Sequence, residues 1–227
     1  MTGLTEKASG ETIEPGAAAI ARAQRAWEES MLRQLEELRE TVSKSQPETL
    51  AFRSGTTLQQ GEIRFQYWNR PVNLSWPSLE AIYLDTGNAC PVFDLTLFLF
   101  YLRTADGMSL ADRWISFGEL PGGKFYNQAF QGYSGDRLIQ AMGEKTDAFH
   151  TAAKAIGGWQ LTGLAEHAYA FQAMPRLRLA AVIWPGDEEF PSRASILFDA
   201  AASHYMTTDG LAILGSGLVS RLTKAVV

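Results

Sequence analysis

Apolar residues recur at helical spacing near the start of the chain and define its first predicted element. Successive members of one stripe are separated by 7, 4, 4, 3 and 4 residues, as listed here: Ile20, Trp27, Met31, Leu35, Leu38 and Val42. This spacing is typical of a single apolar face on an α-helix. We therefore predict an N-terminal amphipathic helix over 17–44, preceded by a disordered tail over 1–16. The helix either packs on its own domain or docks a partner, a second copy included, through residues 17–42.

The segment 49–85 changes to an alternating pattern, which is typical of strands with one exposed face. Ile63, Phe65 and Tyr67 alternate with Arg64 and Gln66 in the clearest example. We predict three strands in this segment, LAFRSG (50–55), EIRFQYWN (62–69) and LEAIYLD (79–85), with turns at Gly55, at Gly61 and over 69–71.

The remaining pattern predicts a mixture of helices and strands. The apolar run Val92–Leu102 predicts a buried helix over 91–103, too short for the roughly 20 residues that cross a membrane. Further helices are predicted over 125–142, 146–156 and 208–224, and further strands over 114–117, 168–171, 177–184 and 195–198. These elements predict a single α+β domain over 45–227. Its antiparallel sheet, or two small ones, is packed by the middle and C-terminal helices, and the N-terminal helix is added to it.

Composition narrows the class of protein without naming a reaction. The 227 residues are 46% hydrophobic and 20% charged, which is ordinary for a globular domain. A net charge of −5 without a basic block argues against a nucleic-acid partner. The single cysteine, Cys90, cannot form an internal disulfide or a cysteine-built metal site. With a polar N-terminus, these features predict a cytoplasmic protein with no membrane segment and no stoichiometric transition metal.

Three blocks of the sequence resemble one family. They are WISFGELPGGKFYNQAF (Trp114–Phe130), AVIWPGDEEFPSRASILFDAAASHYMTTDGLAIL (Ala181–Leu214) and the short apolar helix upstream of both. Together they resemble the bacterial and archaeal domain-of-unknown-function family 3786 over residues 45–225. Some relatives carry a cysteine-rich iron–sulfur segment, so the resemblance implies a setting in anaerobic redox or one-carbon, corrinoid-linked metabolism. This chain has one cysteine and lacks that segment, and the family supplies no catalytic residue to transfer.

The favoured candidate site lies where a predicted strand meets the last helix. Asp199, His204 and Tyr205 combine a carboxylate, an imidazole and a phenol there, and strand-to-helix junctions often hold ligands. A second candidate is the glycine turn over 121–123, where exposed N–H groups and Lys124 could hold an anion. Glu119 precedes this turn and Tyr126 follows it, and both are ligand candidates as well.

A weaker candidate is the acidic loop Asp187, Glu188 and Glu189, which could hold a hard cation or act in acid–base chemistry. The same residues also fit a solvated hairpin loop. Its position at the closed end of a hairpin predicts a separation of about 20 Å from Asp199. The other two histidines, His150 and His167, are expected at the surface.

These candidates support three possible functions, and the sequence does not discriminate between them. The first is a small-ligand or cofactor-binding accessory domain, with the cofactor unidentified. The second is an acid–base enzyme that uses His204 with Asp199 or Glu119. The third is an interaction module that docks through helix 17–42.

Overall fold

A computed structural model of the chain describes residues 31–143 and 145–226. Its helices are α1, described over 31–43, α2 (Pro47–Ser54), α3 (Val92–Thr104), α4 (Gly123–Tyr133), α5 (Gly135–Met142), α6 (Thr146–Ala155) and α7 (Thr208–Lys224). Its strands are β1 (Thr57–Gln59), β2 (Glu62–Tyr67), β3 (Arg70–Ser75), β4 (Ala81–Tyr83), β5 (Trp114–Ser116), β6 (Trp159–Gln160), β7 (His167–Met174), β8 (Leu177–Trp184) and β9 (Arg193–Asp199). Short 3₁₀ turns cover Phe117–Glu119 and Ala202–His204. The strands form two antiparallel sheets, which confirms the predicted α+β class.

The first sheet has the order β1-β2-β3-β4 and packs against α3. As the alternating pattern predicts, Ile63, Phe65 and Tyr67 are buried while the residues between them are exposed. The ring of Phe98 in α3 makes edge-to-face contacts with Phe65 and Tyr67, at centroid distances of 5.1 and 4.9 Å. These aromatic contacts hold the middle of α3 against β2.

The second sheet has the order β5-β9-β8-β7-β6 and is packed by helices α5 and α6, with α7 lying on those helices. Its central strand β8 is buried at almost every position, which is typical of a strand covered on both faces. The backbone N–H of Trp68 donates to the Ala173 carbonyl in β7, so the β2–β3 turn touches the second sheet. None of the described helices combines the length and apolar character that crossing a membrane would require.

Helix α1 belongs to the main hydrophobic core over its described length. Leu35, Leu38 and Val42, which form the later part of the predicted stripe, are at most 3% exposed and join the same core as both sheets. Of the two roles predicted for the N-terminal helix, packing on its own domain is the one that these contacts favour over the described residues. The predicted tail over 1–16 and the first half of the predicted docking helix lie outside the described residues.

Three local predictions were wrong for identifiable reasons. The segment 50–55 lies in α2 and its cap, because Pro47 favours a helix start and Gly55 ends the helix in the left-handed conformation. The turn predicted over 69–71 lies at Trp68 and Asn69, so the chain enters β3 at once.

The single helix predicted over 125–142 is interrupted at Ser134, which has non-helical backbone angles and separates α4 from α5. The residue after the break, Gly135, lies against β9. A Cβ atom there would come within 2.3 Å of the Ala194 carbonyl oxygen. The absence of a side chain at Gly135 therefore allows the start of α5 to lie this close to β9.

Candidate functional site

The carboxylate of Asp199, which belongs to the favoured site, is hydrogen-bonded to backbone groups of the protein itself. It is 1% exposed, and its two oxygens accept backbone N–H groups from Ala111, Asp112 and Ala201, each at 2.9 Å. A buried carboxylate with three charge-assisted hydrogen bonds is a structural anchor. Asp199 therefore holds the long connection 105–113 against the end of β9.

His204 and Tyr205 hold the same connection from its other end. The Nδ1 atom of His204 lies 2.6 Å from a carboxylate oxygen of Asp106, and this contact lowers the pKa of Asp106. The Tyr205 hydroxyl donates to the Met108 carbonyl, and its ring is fully buried. The favoured site residues thus anchor 105–113, and His204 pairs with Asp106 instead of Asp199.

The glycine turn ahead of α4 is explained by local packing. Gly122 adopts φ of 73°, and a Cβ on Gly123 would lie 1.9 Å from the Phe117 carbonyl oxygen. Glu119 accepts the backbone N–H and hydroxyl of Ser116, and these bonds lower the pKa of Glu119. Glu119 therefore closes a capping box.

The two other candidates near this turn, Lys124 and Tyr126, lie exposed in the first turn of α4. Neither lines the cleft described below.

The acidic loop forms a self-contained turn. One oxygen of Asp187 accepts the backbone N–H groups of Glu189 and Phe190, at 2.9 and 2.7 Å, and these bonds lower the pKa of Asp187. Glu188 and Glu189 point into solvent. Over residues 31–143 and 145–226, no group of three or more His, Cys, Asp or Glu side chains could hold a metal ion.

The two histidines expected at the surface are instead hydrogen-bonded to each other. The Nε2 atom of His150 in α6 lies 2.9 Å from Nδ1 of His167 in β7, and Nδ1 of His150 lies 2.9 Å from the Tyr169 hydroxyl. Both imidazoles are half-buried. Burial and the charge of His167 lower the pKa of His150. Sequence spacing missed the pair because α6 and β7 meet only in the tertiary structure.

A different site is formed by a cleft of about 600 Å³ between the β2–β3 turn, the start of α3 and one face of α7. Its size falls within the range of small-ligand sites. Aromatic side chains and one charged residue form the sheet and α3 side, namely Tyr67, Trp68, Phe93 and Asp94. Residues of α7 form the opposite side, namely Asp209, Ala212, Ile213, Leu214, Ser216, Gly217, Ser220 and Arg221, and Tyr133 lies at the rim.

Asp94 connects this cleft to the first sheet. The hydroxyl of Tyr83 donates to one of its carboxylate oxygens at 2.5 Å, and the hydroxyl of Tyr67 donates to the other at 3.3 Å. Burial, together with the negative charge of Asp94, raises the pKa of Tyr67 to about 12 and raises that of Tyr83 as well. Both phenols therefore remain hydrogen-bond donors at neutral pH, and Asp94 is held in the first turn of α3, where the helix dipole favours an anion.

Trp68 separates this cleft from a second recess of about 480 Å³. Its φ of 48° and the φ of 63° at Asn69 are those of a two-residue hairpin turn, which needs left-handed backbone at both positions. The Trp68 indole N–H is buried, and no described residue accepts it in hydrogen-bonding geometry. The guanidinium of Arg221 lies over this ring, 4.7 Å from its centroid.

One wall of the cleft carried a signal in the sequence. Six of the eight α7 residues that line it fall in the pairs 212/213, 216/217 and 220/221, and the other two are Asp209 and Leu214. These positions form a helical face that carries small, polar and apolar residues. The other wall could not be inferred, because β2 and α3 are more than a hundred residues away along the chain.

The fold and site describe an α+β domain with a cleft that combines aromatic and charged side chains. A family model for a domain of unknown function, DUF3786, matches residues 46–221. The chain therefore belongs to the DUF3786 family. Searches of curated proteins and of solved structures gave no match.

Proposed function

We propose that this protein binds a small organic ligand in the cleft between the β2–β3 turn, the start of α3 and α7. One observation carries the proposal: a recess of about 600 Å³ brings together aromatic faces and the charged groups Asp94, Asp209 and Arg221. Aromatic walls supply apolar contact area, and a few charged groups fix the orientation of a ligand. The proposed function is the ligand binding predicted from the sequence, but the proposed site is this cleft and not the junction after β9.

The acid–base alternative receives less support from the geometry. It requires His204 to work with Asp199 or Glu119, yet both carboxylates accept backbone N–H groups as described above. The proposed setting in one-carbon or corrinoid-linked metabolism is implied by the family resemblance alone. It therefore guides the choice of compounds and not the choice of residues.

The test is a thermal-shift screen with two matched Ala→Phe variants. Ala212→Phe places a ring on the cleft face of α7, whereas Ala141→Phe places the same ring on an exposed position of α5. The panel contains folates, corrinoids, aromatic carboxylates and phosphates, and aromatic amines.

A ligand at a hundred times its Kd stabilises the folded state by about 2.7 kcal/mol, which corresponds to roughly 5–10 °C for this size of chain. We expect that shift in the wild type and in Ala141→Phe, and its loss in Ala212→Phe. An equal shift in all three proteins would place the ligand elsewhere. A panel without any active compound would favour the interaction-module hypothesis instead.

A further inference from the structure

We infer that the ligand of this cleft carries an oxyanion, a carboxylate or a phosphate, that pairs with Arg221. The inference rests on the proposed function, because it specifies the chemical class that the same cleft accepts. It depends on how Arg221 is placed and on which charged groups surround it.

The guanidinium of Arg221 lies over two aromatic rings. Its Cζ atom is 4.7 Å from the ring centroid of Trp68 and 5.6 Å from that of Tyr67. Its Nη1 donates to the Gly217 carbonyl at 3.1 Å. A guanidinium has five N–H donors, so this bond leaves other donors for a carboxylate or phosphate. In the described part of the chain, none of the ion pairs involves Arg221.

Two further cations lie near the same end of the cleft. Arg137 of α5 donates to the hydroxyl of Ser220, which is itself a cleft residue, at 3.2 Å. Lys154 of α6 lines the second recess together with Arg221 and Trp68. Like Arg221, these two residues take part in none of the ion pairs within 31–143 and 145–226. Three cations therefore lie around the C-terminal part of α7, with Arg221 in the cleft, Arg137 behind Ser220 and Lys154 in the second recess, although the chain has a net charge of −5.

Neither carboxylate of the cleft forms an ion pair with Arg221 in the described part of the chain. Asp209 lies 12 residues before Arg221 on α7, which corresponds to about 18 Å along the helix axis. Asp94 lies closer, because both it and Arg221 act on the pKa of Tyr67, in opposite directions. A ligand oxyanion at Arg221, with an apolar body along Tyr67 and Trp68, would complement both the charge and the aromatic wall.

The experiment compares small probes that share a ring and differ in charge. Phenyl phosphate and benzoate supply the oxyanion, and phenol and benzyl alcohol are their neutral counterparts. Binding is measured by titration calorimetry in wild type, Arg221→Gln, Arg221→Lys and Arg193→Gln. Arg193 is the matched control, because its guanidinium lies over Trp184 at a similar 4.8 Å but outside the cleft.

We expect Arg221→Gln to weaken binding of the anionic probes at least tenfold and to leave the neutral probes unchanged. Arg221→Lys should restore part of the loss, Arg193→Gln should behave as wild type, and added salt should weaken only the anionic probes. If anionic and neutral probes bind equally well and Arg221→Gln changes neither, the oxyanion assignment is wrong while the cleft remains a ligand site. If Ala212→Phe also leaves probe binding intact, the proposed cleft itself is wrong.

Discussion

Removing the carboxylate of Asp199 should destabilise the fold more than removing any exposed carboxylate of the chain. In Asp199→Ala, three backbone N–H groups lose an acceptor at 2.9 Å in a site where the side chain is 1% exposed. A hydrogen bond to a charged group contributes about 1.5–3 kcal/mol, but bonds that share one carboxylate are not additive. We therefore expect a loss of about 4 kcal/mol, which lowers Tm by roughly 8–16 °C in a chain of this size.

The assay is urea and thermal unfolding of Asp199→Ala, Asp199→Asn and Asp187→Ala. Asparagine keeps one acceptor oxygen but turns its amide N–H toward a backbone donor. The stability of Asp199→Asn should therefore lie between that of wild type and that of Asp199→Ala. Asp187 is the matched control, because it also accepts two backbone N–H groups but lies in an exposed loop. If Asp199→Ala and Asp187→Ala unfold at the same midpoint, Asp199 is not an anchor and its role as a site residue must be reconsidered.

Three other outcomes are expected. Leu38→Ala should lower the free energy of unfolding in urea by about 2–5 kcal/mol, because Leu38 of α1 is 1% exposed, whereas Leu32 is 47% exposed and Leu32→Ala should lower it little. Equal losses in the two variants would show that α1 is not part of the core. Burial raises the pKa of Cys90 from 9.0 to about 11, so a thiol reagent at pH 8 should label the native protein about a hundredfold more slowly than the unfolded chain. The pKa of His150 is lowered from 6.5 in the folded state, so the free energy of unfolding should decrease as pH falls below 6.5. In His150→Gln, the urea midpoint should depend less on pH over this range, and an unchanged pH dependence would contradict the pairing with His167.

The fold was predictable wherever a local pattern had one structural meaning. The alternation at Ile63, Phe65 and Tyr67 correctly predicted β2, and the apolar run after Pro91 correctly predicted α3. The segment 50–55 was ambiguous, because a short apolar run fits either a strand or a helix turn. Its helical state is set by the proline and glycine at its two ends and by burial of Leu50, Ala51 and Ser54 at helical spacing.

The internal pairing of the favoured site residues could not be predicted, because most of their partners are distant in sequence. Apart from the bond between Asp199 and the nearby Ala201, the groups to which Asp199, His204 and Tyr205 bond lie between 87 and 98 residues earlier in the chain. A sequence motif shows which functional groups are present but not whether a remote segment has already paired with them. The connection 105–113 has no regular structure of its own, so nothing local indicated that it would take up these side chains.

Whether a polar group is already paired is therefore a better guide to a site here than the type of residue. Asp199 offers a carboxylate at a strand end, yet all three of its N–H partners are internal. Arg221 offers a guanidinium at a helix end, where a cation is favourable by itself, but it lines a cleft and takes part in none of the described ion pairs. Because a buried or half-buried charge is stabilised by a partner, a cation without an ion-pair partner beside an aromatic wall is a group with which a ligand can still form an ion pair. This difference in pairing is the physical basis for placing the ligand beside α7 and not at the junction after β9.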